Sequence, residues 1–353
     1  MASGSRLGQK LLRMDYIGKN PLSESERMAS SPGFCETYSV DYPVVLAGMA
    51  MISEPPLVAA VSQAGGLGIL GTGPMSPDIL RGAIAEVRKQ TPRTFGVNQI
   101  VENTQLGPLT TTEDISALVE EQVPLVVFFW NLPSRDWLNQ LRDGGIRIWQ
   151  TVTSLEDAQV AIDAGVDGLM VQGSEAGGHN RSTLQLRDLL YGISALTFEG
   201  HVIAAGGIAD VVTARAAINL GADAVCLGTR FVASLESPAH PDWKRRIVEA
   251  KNDSTVVTRI FGPEWPDAPM RVLHNRACRE EGQGTVRRIG SVGRTRLFGQ
   301  TYDMPACSAV LPTLETQGDL EFMCLAAGTS SARIHAVSPA ADIVREIGQA
   351  LVG

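Results

Sequence analysis

The sequence predicts an α/β protein: a (β/α)8 TIM barrel with a small, mostly helical insertion between strand 8 and helix 8. Three observations predict it. From Tyr42 onward, eight short apolar runs alternate with seven amphipathic stretches. Three of those stretches end in a glycine that turns straight into an apolar run, as in AGGLGIL, AGVDGLMV and LGADAVCL. A long polar interruption then separates the eighth run from a last amphipathic segment. Alternating strands and helices pair in parallel through right-handed crossovers, and eight such units close on themselves.

In chain order, Ser-rich polar sequence to Pro32 places residues 1–33 outside the core, as an N-terminal extension expected to be poorly ordered. It carries Arg6, Lys10 and Arg13 but no apolar segment of the kind a secretory signal needs. Strands are expected at 43–47, 67–70, 94–98, 125–129, 146–150, 168–171, 202–205 and 224–227. Helices are expected at 56–64, 77–89, 112–121, 134–141, 155–164, 184–196 and 211–220. Ser154 followed by Asp157 reads as a capping box for the fifth. Residues 339–351 supply the eighth helix, so 34–230 and 325–353 make the barrel. Residues 231–324, with charge clusters and proline-rich turns, form an insertion on the C-terminal face, where it would lie over an active site as a lid. An oligomerisation element is the other reading of that insertion.

Composition narrows the function. A net charge of −8 supplies no basic face for nucleic acid. Five cysteines, odd in number and without a CxxC pair, indicate neither a disulfide framework nor a zinc site, and suit a reducing, cytoplasmic compartment. No apolar run reaches membrane-spanning length.

The chemistry concentrates in VQGSEAGGHN at the end of strand six. Its glycines let the backbone approach a ligand, and His179 exchanges a proton near neutral pH. Glu175 either orients that histidine or faces solvent. Gly206-Gly207 after strand seven and Gly228-Thr229 after strand eight stand where barrels commonly bind phosphate. Ala47-Gly48-Met49, Asn98 and Gln172, at other strand ends, suit a flat ring with a polar edge such as a flavin. GLGILG at Gly66 matches a dinucleotide fingerprint only literally, because its glycines end a helix and enclose a strand. His201 lies at the opposite rim and reads as structural, and Cys226 reads as core. No clustered metal ligands or Ser-His-Asp array compete with His179.

With these residues in place, the chain resembles the nitronate monooxygenase family, formerly called 2-nitropropane dioxygenases. The resemblance runs from Tyr42 to the C-terminus through YPVVLAGM, SQAGGLGILGTG, FGVN, QGSEAGGH, AAGGIAD and LGADAVCLGTRF. It implies FMN as cofactor, held by Asn98, Gln172, Gly177 and Gly207 and by the Cys226-Leu227-Gly228-Thr229 turn. Ala47, Gly48, Met49, Gly178 and Gly206 would stand beside it, and His179 near its reactive side. It implies oxidation of an alkyl nitronate or nitroalkane by O2 to a carbonyl compound and nitrite. The alternative, also within the family, is an FMN-dependent NAD(P)H reductase of an enoyl thioester or a quinone. A flavin-binding but inactive scaffold is the third reading, and a homodimer is the assembly considered. The chain departs from the family pattern at Asn180-Arg181, at Trp130 and Trp149 near two strand ends, and in AAGTSSARI. If both indoles face inward at the barrel mouth, they reshape the substrate cavity.

Overall fold

The computed structural model describes residues 33–353, apart from 106, 263, 283, 285–289 and 298–299. The expected extension 1–33 lies outside the described residues except for Gly33. Eight parallel strands carry the architecture: β1 (Val44–Leu46), β2 (Gly68–Leu70), β3 (Phe95–Val101), β4 (Leu125–Trp130), β5 (Arg147–Val152), β6 (Gly168–Gln172), β7 (His201–Ala205) and β8 (Ala224–Leu227). They pair in sequence from β2 to β8, β8 pairs β1, and a parallel bridge between Val45 and Leu67 closes the ring. The helices between them are α1 (Pro55–Gln63), α2 (Pro77–Gln90), α3 (Thr112–Glu120), α4 (Arg135–Asp143), α5 (Leu155–Asp163), α6 (Leu186–Ile193) and α7 (Val211–Asn219), with α8 (Ala340–Val352) at the end. This is a (β/α)8 TIM barrel.

Local chemistry sets the element ends. Ser76, Thr111, Ser134, Ser154 and Asp210 each cap a helix by accepting a main-chain N–H from the first turn. Gly65, Gly165 and Gly221, the three turn glycines read from sequence, have φ of +94°, +73° and +93°. Only glycine adopts such angles without strain, so each helix can stop and feed the next strand within a few residues.

Two cores result. Alternate strand residues such as Leu46, Val97 and Leu227 pack outward against the helices. The other set, including Val45, Ile69, Val127 and Ile203, fills the barrel interior. A short helix, Phe34–Tyr38, plugs the lower end of that interior. The Tyr38 hydroxyl accepts the Trp149 indole N–H at 2.7 Å, and Phe34 and Tyr38 both stack edge-on against His201. His201 is therefore structural, as expected. Trp149 corrects the sequence reading: it is fully buried in the plug rather than at the mouth, because it sits only two residues into β5.

The insertion is also corrected. It is more strand than helix: Thr255–Thr258, Met270–Leu273, Ser291–Leu297 and Gln300–Pro305 outweigh helices Pro241–Val248 and Arg276–Gly282. Segments too short to show a period become strands because each finds a partner. Met270–Leu273 pairs antiparallel with Thr255–Thr258 on one side and with Gly178–His179 of the barrel on the other. Among the described residues, no helix is long and apolar enough to cross a membrane.

Candidate active site

A cavity of about 310 Å³, in the range of small-ligand sites, opens at the C-terminal ends of the strands under the insertion. It brings together Ala47, Gly48, Met49, Asn98, Gln172, Gly177, Gly178, His179, Gly206, Gly207, Cys226, Gly228 and Thr229. Leu227 is the exception among the residues read from sequence. Its neighbours point inward, so the strand's alternation sends its side chain into the helix–sheet core, and only its carbonyl acts locally, accepting from Ala47 N at 3.0 Å.

The loop after β6 is tied from three sides. Asn180 is buried; its amide nitrogen donates to Gly173 O at 2.9 Å, and its main-chain N–H donates to Pro269 O at 2.9 Å. Arg271 of the insertion donates twice to Ser174 O. The Glu175 carboxylate accepts from Leu186 N at 2.9 and 3.2 Å, capping α6. Neither role expected for Glu175 is observed, because a helix start with no capping side chain of its own lies within its reach.

His179 therefore stands on a two-residue strand held by the insertion. Its ring centroid is 4.2 Å from that of Trp265 and 5.9 Å from that of Trp130. Burial lowers its pKa from the ordinary 6.5 to about 4, against a smaller opposing pull from the Pro269 carbonyl. The imidazole is neutral at pH 7, and its Nδ1 is shielded from water with no hydrogen-bond partner. Gln172, at the end of β6, donates to His179 O at 3.3 Å and leaves its own buried Oε1 unpartnered. Burial raises the Cys226 thiol to about 12, which leaves it a neutral wall residue.

The glycines shape the rest. A Cβ on Gly48 would come within 2.4 Å of the Asn98 Cβ, so Gly48 is what allows Asn98 to lie against the floor. One on Gly177 would meet Gly328 N at 2.4 Å. Gly328 is in turn fixed by its N–H donating to Thr229 Oγ1 at 2.9 Å. The loop after β6 and the start of helix Thr229–Val232 are thus joined through the Gly328 backbone.

Comparison with known proteins now decides the family. The nitronate monooxygenase family model matches residues 32–350. The chain belongs to the nitronate monooxygenase family. A probable nitronate monooxygenase of Staphylococcus aureus (strain MSSA476) is 32% identical over 283 residues, covering 69% of this chain and 79% of that protein. FabK from Thermotoga maritima superposes with a TM-score of 0.72 at 32% identity, covering 92% of this chain and 97% of that one. Nitroalkane oxidase from Streptomyces ansochromogenes gives a TM-score of 0.72 at 27% identity, covering 90% and 98%. This nitronate monooxygenase family member is accordingly a flavin-dependent oxidoreductase.

The departures from the family pattern also find their places. Asn180 is the loop's internal tie. Arg181 lies over the Trp130 ring at 4.5 Å, so two departures contact each other. Missed from sequence were Trp265, Glu264, Met270 and Tyr302, all cavity residues from the insertion. Met270 enters by pairing with His179, Glu264 and Trp265 come from the segment just before it, and Tyr302 from a strand paired with Ser291–Leu297; no local spacing signals any of this.

Proposed function

We propose that this enzyme uses FMN to oxidise alkyl nitronates, or their parent nitroalkanes, with O2 to a carbonyl compound and nitrite. The observation that carries the reading is His179: an imidazole that burial holds neutral, its Nδ1 shielded from water, on the wall of a mostly apolar cavity.

The residues fit FMN. The orphaned Gln172 Oε1 calls for a donor such as a ring N–H, since an unmet buried acceptor is costly. Asn98 adds a second amide on the same floor. Among the described residues lining the cavity there is no lysine or arginine, so main-chain N–H groups would hold a phosphate. The Gly206-Gly207 turn and the N–H groups of Gly228, Thr229 and Arg230 would supply them, those of Phe231 and Val232 being already given to the Gly228 carbonyl. Bound FMN would supply the redox chemistry, taking electrons from the substrate and passing them to O2.

His179 would act on the proton and the nitro group. As a neutral base it can take the α-proton of a nitroalkane. Toward a nitronate, already an anion, its one N–H would have to leave the Pro269 carbonyl to donate to a nitro oxygen. A pKa near 4 makes the imidazolium a minor form before substrate arrives, which favours these neutral roles over a preformed cation.

The likeness to FabK, as strong as that to the nitroalkane oxidase, supports a second reading as an FMN-dependent NAD(P)H reductase of an enoyl thioester or quinone. Anaerobic flavin spectra with a nitronate, NADH and NADPH in turn separate the two. Bleaching by the nitronate, with nitrite released on admitting O2, is expected. Bleaching by a nicotinamide alone favours the reductase, and failure to take up FMN overturns both.

A further inference from the structure

The insertion builds one end of the cavity with a definite polarity. The 264–268 segment brings the Trp265 ring centroid to 4.2 Å from that of His179, with the rings tilted 43° and Trp265 nine-tenths buried. Beside it, the Glu264 carboxylate also lines the cavity. That carboxylate accepts from the Tyr302 hydroxyl at 2.9 Å, from Ala309 N at 3.0 Å and from the Ser308 hydroxyl. Burial and the nearby Glu264 push the Tyr302 phenol up to about 12, so it remains a protonated donor.

The hydrogen-bond arithmetic has a chemical consequence. A hydroxyl has one proton to donate, and both hydroxyls here spend theirs on Glu264. This end of the cavity therefore offers lone pairs, a carboxylate and an indole face, with apolar Leu109, Phe129 and Val310 around them. An anionic group arriving there finds both hydroxyls already spent on Glu264, meets the like charge of that carboxylate, and is left with the Trp265 indole N–H as a side-chain donor. A flat apolar group finds a stacking partner.

We propose that this pocket selects nitro compounds with a neutral, flat apolar substituent against those carrying a second anionic group. Trp265 supplies the stacking face and Glu264 the exclusion of the anion. The substrate class named here rests on the nitronate-oxidising reading, whereas the polarity of the pocket does not.

The test is binding of two nitro compounds, 1-nitro-2-phenylethane and 4-nitrobutanoate, to the flavin-loaded enzyme kept anaerobic, read from indole fluorescence and from flavin absorbance before any bleaching. The phenyl compound is expected to bind at least tenfold more tightly. Glu264→Gln should tighten 4-nitrobutanoate several-fold and leave the phenyl compound unchanged, a charge-specific shift that loosened packing would not give. Should Glu264→Gln not fold, Trp265→Ala carries the test alone, weakening the phenyl compound several-fold and sparing 4-nitrobutanoate. Equal or tighter binding of 4-nitrobutanoate by the wild type, or binding of neither, overturns the proposal. Nitrite release from the two nitronates is measured in parallel. Selective binding without nitrite would overturn nitronate oxidation and uphold the pocket assignment.

Discussion

The Arg181 guanidinium lies 4.5 Å from the centroid of the Trp130 ring and donates to the Trp130 carbonyl. Trp130 needs that hold, for its φ of +82° lies in a region that bulky residues rarely occupy. Its ring braces Trp265 at 4.7 Å, so a surface cation supports a wall of the site from behind. Arg181→Ala and Trp130→Ala should each destabilise the fold, with a coupling of about 0.5–1 kcal/mol in a double-mutant cycle by urea unfolding, as for an exposed cation–π pair. Strict additivity would show that the two side chains act independently.

His179→Ala should keep its flavin yet lose roughly 10²–10⁴-fold in turnover, the usual contribution of a positioned acid or base. Flavin absorbance reports the first and nitrite release the second. The pH profile follows from the lowered pKa. Because the folded form holds its proton less tightly than the unfolded form, stability is complete above about 6.5 and is lost as pH falls toward about 4. Thermal melts across that window should flatten in His179→Phe. The acid limb of kcat/KM should likewise fall near 4 rather than near 6.5.

Gly48→Ala places a methyl 2.4 Å from the Asn98 Cβ, and overpacking of that kind costs about 1–3 kcal/mol. Asn98 must shift, so FMN affinity should fall together with the melting temperature. Unchanged flavin titrations would separate Asn98 from the cofactor.

Tyr38→Phe removes the acceptor of the buried Trp149 indole N–H and should cost about 1–3 kcal/mol in chemical denaturation. The plug lies at the far end of the barrel from the cavity, so kcat and KM should stay at wild-type values.

Most of the barrel was legible because each unit repeats the same local chemistry. The run read at 224–227 is β8 to the residue, and the helix read at 77–89 is α2 with one residue more. Most strand ends then follow, and with them Gln172 and the loop carrying His179; Asn98, read as a strand end, lies within β3, which runs on to Val101. What escaped depends on distance along the chain. Helix Phe34–Tyr38 spans five residues without a side-chain cap and is stabilised by Trp149 and His201, far away in sequence. Trp265 and Glu264 reach the cavity only because Met270–Leu273 pairs with Gly178–His179. Glu175 read as orienting His179 or facing solvent because the helix it caps starts eleven residues later.

That pairing also sets an order of assembly during synthesis. Once β8 has left the ribosome, each strand-end residue read as facing the flavin has been made, yet His179 still lacks the strand that holds it. Some forty further residues must emerge before Met270 and Arg271 can clamp Gly178 and His179. The nascent protein therefore has the strand ends that line the cavity before it has the clamp on His179.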